Sequence, residues 1–482
     1  MNEDEIAILN SNNFKEIKLL LENFLKTNDN AFTFAFLSEN NRRVSLWAAL
    51  FQHLQSNSSE SIHVLCLATL RLLSRDKCEL ENLICEKWIL TLIEMAGLFN
   101  FVDPDDMVDV DMPIKEVVVE ALKCLCNIAF NSEVARALCA HTSIAQGLVA
   151  RLRSYKEISF KEDIMLFDMK LLFILTALRH DIKSKIKDEL HGMDYLISCL
   201  NELVIEATDS SESDVAGSSV EGVHNCFLKD NQQAIVCEIL KTQFNLMLHS
   251  GSEEPVNEAD EGMYLRLMPT ITTLLYAHAP TQDKLMELHS NIANLLTSIP
   301  PVFYQYLTPD LNEGEKAQYV YNSRNMDALQ ALLHLLEYRL SITTSTKNQY
   351  ENLSPILTVL NKSSRGCRAQ RKFLRQAVLP PLRDYTGFGN AAGHLAQKGL
   401  MGTSRGPVLY SSSSEDSDTE EYLEAQPRID PVKEYEAMKL VNLFDKLLCE
   451  GVMKPALIGP DGRPQPVEHL LEMRETPNRP QS

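Results

Sequence analysis

Ala121-Leu122-Lys123-Cys124-Leu125-Cys126-Asn127-Ile128-Ala129-Phe130-Asn131-Ser132 is echoed by Ile239-Leu240-Lys241-Thr242-Gln243-Phe244-Asn245-Leu246-Met247-Leu248-His249-Ser250. A weaker copy, Leu288-His289-Ser290-Asn291-Ile292-Ala293-Asn294-Leu295-Leu296, follows, and Asn245 and Asn294 lie 49 positions apart. That spacing is close to the roughly 40–47-residue unit of helical repeat arrays. An apolar helix that returns with the same lone Asn on its exposed stripe predicts stacked copies of one unit, not a bundle. Such stacks curve into a superhelix with a concave binding face. The recurring Asn has two readings: a group that lines a groove and holds a peptide backbone, or a cap for a neighbouring loop. Three in register favour the groove.

The rest of the chain agrees with an all-α reading as far as Gln376. Apolar residues recur at helical spacing in Ile17 to Phe24, Trp47 to Leu54, Val64 to Leu73, Trp88 to Leu98, Val117 to Phe130, Leu166 to Leu178 and Met326 to Leu340. No two alternating segments are joined by a hairpin signal, so no sheet is expected. Breakers mark the connections at Asp103-Pro104-Asp105-Asp106, Thr208 to Gly222, Ser250 to Gly262 and Ser298-Ile299-Pro300-Pro301.

Composition excludes several classes. A net charge of −20 disfavours a nucleic-acid binder that relies on phosphate attraction. No apolar run approaches the roughly 20 residues of a membrane span; the longest, Leu171 to Leu178, is broken at Thr176 and ends at Arg179. The 11 cysteines sit in apolar helical segments behind an acidic N-terminus without a secretory signal. Reduced, buried thiols in a cytoplasmic protein are expected. Cys124 and Cys126 diverge on a helix, and no metal-ligand set, cofactor motif or catalytic triad rises above chance. The glycine turn Gly387 to Gly393 lacks the Gly-Lys-Ser/Thr ending of a phosphate-binding loop.

The C-terminal part is organised differently. The turn Gly387-Phe388-Gly389-Asn390-Ala391-Ala392-Gly393 leads to an acidic tract, Ser411 to Tyr422, and then to an isolated amphipathic helix, Glu434 to Leu448. Leu440, Leu443, Phe444 and Leu447 form its apolar stripe, suited to a groove on a partner or on the chain itself. The expected organisation is a helical solenoid over 1–384, a glycine turn and short helix over 385–406, an acidic phosphorylatable linker over 407–433, and the helix with its tail over 434–482. Unphosphorylated, the linker is expected to be disordered.

Leu122 to Asn127, Leu171 to Leu178, Arg371-Lys372-Phe373-Leu374, Val378-Leu379-Pro380-Pro381-Leu382-Arg383-Asp384, Tyr385 to Gly393, Asp418 to Tyr422 and Tyr435 to Asn442 together resemble the synembryn family, also called resistance to inhibitors of cholinesterase eight. The resemblance spans nearly the whole chain. It implies a mixed armadillo and HEAT solenoid that binds G-protein α subunits (Gα), chaperones their folding and promotes guanine-nucleotide exchange. It also implies a cytoplasmic location that can include the cell cortex, with no cofactor and no covalent chemistry. One departure stands out: Asp384 runs directly into Tyr385, where the family carries about one more repeat, or roughly 40 residues. The alternative reading is an armadillo-type adaptor for another peptide, indifferent to nucleotide.

Two groups of residues carry candidate roles, the first through the resemblance and the second through the charge pattern of the sequence. Arg71 and Arg75, four apart on one helix face, would clamp the C-terminal carboxylate of Gα, with Asn127 holding the peptide backbone nearby. The bland reading is a solvated face, with the arginines paired to Asp76. The stripe Arg368, Arg371, Lys372 and Arg375 would dock phosphates placed on Ser412 and Ser417 by an acid-directed casein-type kinase; its bland reading is also a solvated face.

Overall fold

The computed structural model describes residues 1–98, 113–155, 161–214, 226–248, 258–311, 317–342, 346–374, 376, 456–458 and 464–466. The chain divides into two units, Met1–Pro381 and Leu382–Ser482.

The first unit is built on helix pairs: α1 (Glu3–Leu9) with α2 (Phe14–Asn28), α3 (Arg42–Leu54) with α4 (His63–Leu73), α5 (Glu86–Met95) with α6 (Lys115–Asn131), α7 (Ile144–Ser154) with α8 (Lys161–Leu178), α9 (Gly192–Asp214) with α10 (Asp230–Met247), α11 (Glu258–Tyr276) with α12 (Gln282–Thr297), and α13 (Asp327–Ser341) with α14 (Thr346–Gly366). Each even-numbered helix packs on the even-numbered helix before it, from α2 to α14. The odd-numbered helices form a second layer, bridged between α5 and α7 by the short helix Glu133–Ala140. The unit is therefore a two-layered helical array, as the echo predicts.

The sequence of α6 shows why the even layer forms. Its buried residues include Val117, Val118, Ala121, Leu122, Cys124, Leu125, Ile128 and Ala129, which cover more than one side of the helix. A helix apolar on three sides needs neighbours on three sides, and α6 has them in α4, α5 and α8. A narrow polar stripe, Glu120, Lys123, Asn127 and Asn131, stays half-exposed, at spacings of three and four residues. Ser132 then leaves the helix in an extended conformation, and its hydroxyl accepts from Ala135 N at 3.1 Å, capping the next short helix.

Buried polar ties join successive pairs. The Arg151 guanidinium on α7 meets the Asp168 carboxylate on α8 at 3.1 Å, and the Tyr155 hydroxyl donates to Asp168 at 2.6 Å. Arg151 also donates to the Ala96 carbonyl past the end of α5. Burial pushes the Asp168 carboxyl above its ordinary value, with Arg151 and Tyr155 opposing the shift. The fit is tight there: a Cβ on Gly147 would stand 2.6 Å from the Leu98 carbonyl oxygen, so only glycine lets α7 approach that backbone.

The structure departs from the sequence reading in four places. First, two short antiparallel hairpins exist: β1 (Val320–Tyr321) with β2 (Arg324–Asn325) in the first unit, and β3 (Ala456–Ile458) with β4 (Pro464–Pro466) in the second. Strands of two or three residues are too short to alternate visibly. The turn signal of the first is two left-handed residues, Asn322 and Ser323. Second, α9 runs to Asp214, through part of the expected breaker Thr208 to Gly222. Third, Gly97, at φ 65°, ends the apolar run after Ala96, so α5 stops at Met95 and not at Leu98. Fourth, not every thiol is buried: Cys78 and Cys85 are exposed and Cys367 is half-buried. No described helix is long and apolar enough to cross a membrane.

Candidate partner-binding face

The polar stripes of α4, α6, α8 and α10 lie side by side. Arg71 lies in the last turn of α4, Arg75 two residues beyond it, and α6 brings Glu120, Lys123 and Asn127 alongside. Arg71 Nε donates to Glu120 Oε2 at 2.8 Å, and Lys123 Nζ donates to Glu120 Oε1 at 2.8 Å. Burial alone would raise the Glu120 carboxyl, but the hydrogen bonds and charges of Lys123 and Arg71 hold it below its ordinary value. The terminal nitrogens of Arg71 have no partner among the described residues, so they can still form a fork for an incoming carboxylate.

The structure brings Asn127 and Arg71 together directly: the Asn127 amide donates to the Arg71 carbonyl at 3.1 Å. One turn on, the Asn131 amide donates to the Ser74 carbonyl at 2.9 Å. The donor of Asn127 is thus used within the array, and its amide oxygen remains as an acceptor. Arg75 turns the other way. Its NH1 donates to the Asp29 carbonyl at 2.6 Å, and its guanidinium sits 5.6 Å above the ring of Phe32. The suggested pairing of these arginines with Asp76 is incorrect. That carboxylate is buried, accepts from Phe34 N at 2.8 Å and faces Arg43 at 3.7 Å, on the other side of α4.

The pattern returns on α10. Lys241 donates to Glu238 at 2.7 Å, and the Asn245 amide donates to the Phe173 carbonyl and the Thr176 hydroxyl at 3.2 and 3.1 Å. Between the two copies, α8 contributes aromatic rings. Lys123 and Lys170 each stand 5.1 Å from the Phe167 ring, and Lys241 stands 5.1 Å from Phe173. Asn294, the third copy, makes no such tie among the described residues. Sequence reasoning missed the carboxylates. Glu120, Glu238 and Glu287 each lie seven residues before their Asn, one position upstream of the echo.

The basic stripe divides in the structure. Arg368 and Lys372 line a cavity of about 560 Å³ with Asn322, Arg324, Cys367 and Ala369. Arg371 instead donates through Nε to the Ser364 carbonyl at 2.7 Å. Arg324, a third cation at the cavity, comes from β2 and pairs with Asp310 at 3.0 Å. Arg375, Ser412, Ser417, Leu440, Leu443, Phe444 and Leu447 lie outside the described residues, as does the junction of Asp384 with Tyr385.

Comparison with known proteins places these features in context. A family model described as "Guanine nucleotide exchange factor synembryn" matches residues 66–386 and 382–432. Chaperone Ric-8A of Gallus gallus is 34% identical over 533 aligned residues, covering 97% of this chain and 96% of that protein. Chaperone Ric-8 of Drosophila melanogaster is 30% identical, covering 98% of each chain. Chaperone Ric-8B of Rattus norvegicus is 32% identical, covering 91% of each.

Proposed function

The chain belongs to the synembryn family, and from that premise we propose that it binds G-protein α subunits as a folding chaperone and guanine-nucleotide exchange factor. The observation that carries this reading is the extent of the match, which begins at Cys66 within α4 and so takes in Arg71, Arg75, Asn127 and the even helices from α6 onward. Exchange requires no covalent chemistry. A protein that binds nucleotide-free, partly open Gα more tightly than the GDP-bound form shifts the population toward GDP release. Entry of GTP favours the closed state and expels the helper.

At the face, the free end of Arg71 would take the carboxylate at the C-terminus of Gα, and the Asn127 oxygen would accept from the adjoining peptide backbone. Phosphates placed on Ser412 and Ser417 by an acid-directed kinase would find their counter-charge at Arg368 and Lys372. The helix from Glu434 to Leu448 would engage the partner through Leu440, Leu443, Phe444 and Leu447. The site of action is the cytoplasm and its cortex, and the repeat units are of mixed armadillo and HEAT type.

The array is further proposed to be about one repeat shorter than its relatives, between Asp384 and Tyr385. Two observations support this. The family model matches in two pieces that meet at 382–386, and the alignment to the Gallus gallus relative spans 533 positions against a chain of 482.

The test is binding to purified Gα with and without excess GTP analogue. Release by the analogue, with faster GDP loss in its absence, is expected. Binding indifferent to nucleotide would instead make the chain an adaptor for a peptide. GDP release measured beside a form with the segment restored tests the shortening. Exchange should fall more than peptide binding in the short form, because the early repeats carry the proposed peptide face; equal release rates would overturn that.

A further inference from the structure

We propose that Cys367 is a modification site for anionic disulfides, which the cations around its cavity recruit. The ten free thiols of the described residues fall into three groups. Seven are buried, and burial pushes Cys66, Cys139 and Cys237 up to about 12, which leaves almost no thiolate at neutral pH. Cys78 and Cys85 are exposed, and each is followed by a glutamate. Cys367 opens into a cavity, and the described lining of that cavity is cationic. Arg324 NH1 donates to its sulfur at 3.9 Å, and Arg368 and Lys372 line the same space. No carboxylate is among the described lining residues, although Asp310 offsets part of the Arg324 charge from the side. The volume, about 560 Å³, is that of a small-ligand pocket.

The backbone holds the thiol in place. A Cβ on Gly366 would lie 2.6 Å from the Pro301 carbonyl oxygen, so the chain is pressed against that loop just before Cys367. Cys367 N then donates to the Ser363 carbonyl at 3.3 Å. Three cations and one sulfur facing one cavity suit a disulfide whose two halves carry carboxylates, of the glutathione type. The Cys367 proton leaves to solvent, and the thiolate attacks one sulfur of the disulfide. A new Sγ–S bond forms as the original S–S bond breaks, and the departing half leaves as a thiolate that takes up a proton. The adduct's carboxylates then occupy the cavity beside Arg324, Arg368 and Lys372. This inference stands whether or not the cavity also receives phosphates.

The experiment treats the full chain with oxidised glutathione, or with the neutral bis(2-hydroxyethyl) disulfide, and follows the mass of the peptides bearing Cys367, Cys78 and Cys85. Cys367 should favour the anionic reagent by about tenfold more than the other two do, the scale of electrostatic recruitment at a charged cleft. The preference should shrink with added salt at Cys367 alone, and should fall to the level of Cys78 and Cys85 in Arg368→Gln with Lys372→Gln. An equal preference at all three cysteines, one at Cys367 indifferent to salt, or no modification of Cys367 would overturn the proposal. The salt series on the unaltered chain decides the matter even if the double variant fails to fold.

Discussion

The side-chain amide of Asn127 donates to the main-chain carbonyl of Arg71 at 3.1 Å, although 56 positions separate them in the chain. The bond fastens α6 to the last turn of α4, where the Arg71 carbonyl also accepts from the Ser74 hydroxyl at 2.8 Å. It also fixes the backbone that carries the Arg71 guanidinium. The recurring Asn is therefore a strut between neighbours as well as a candidate for a partner's backbone.

Replacing Asn127 by Ala should cost roughly 0.5–1.5 kcal/mol, since it removes one of two donors from a half-buried carbonyl that keeps the Ser74 hydroxyl. Asn245→Ala should cost a similar amount, and Asn294→Ala, which breaks no such tie, should cost less. Urea unfolding of the three variants measures this. Equal losses for all three would remove the strut.

Arg71→Ala should weaken a Gα C-terminal peptide by roughly 1.5–3 kcal/mol per charged hydrogen bond lost. Arg75→Ala should matter less, because its guanidinium is engaged with Asp29 and Phe32. Calorimetric titration of the peptide into each variant separates the two. Unchanged affinity for Arg71→Ala would exclude the carboxylate clamp.

His289 gives the fold a pH dependence. Burial, with help from nearby His334, lowers its pKa to about 4. An unfolded His titrates near 6.5, so between these values the unfolded chain binds the extra proton. This contribution is complete above about pH 6.5 and declines as pH falls toward 4. Between pH 7 and 5 the loss should be about 2 kcal/mol. Thermal melts at both values should show a smaller drop for His289→Leu than for the unaltered chain; equal drops would count against a neutral buried His289.

Casein-kinase treatment should protect residues 407–450 from hydrogen exchange, if phosphates on Ser412 and Ser417 dock at the cavity. Arg368→Glu with Lys372→Glu should abolish that protection, and Arg371→Glu should spare most of it, since Arg371 turns to the Ser364 carbonyl. Protection that survives the first pair would place the phosphates elsewhere. The effect should weaken with salt, because the charges are exposed.

The array was legible because it follows from one-dimensional periodicity. Three-sided apolar helices such as α6 and α10 announce both their layer and their polar stripe. The arginine pair reads in the sequence as one helix face, but α4 ends at Leu73, so Arg75 lies beyond the helix and diverges from Arg71. Whether Arg75 turns to Phe32 or to a ligand depends on a loop 46 residues away, and no local pattern encodes that. Arg324 was missed for the same reason. It reaches the Cys367 cavity from β2, a strand of two residues whose signal is confined to its turn. The acids at Glu120, Glu238 and Glu287 were within reach, had the echo been extended by one position.

The struts all point backwards. Asn127 and Asn131 reach to the carbonyls of Arg71 and Ser74, and Asn245 reaches to that of Phe173. A ribosome delivers each of these acceptors before its Asn donor, so a nascent helix waits for a later one to complete the tie. Until that helix arrives, water must fill the place.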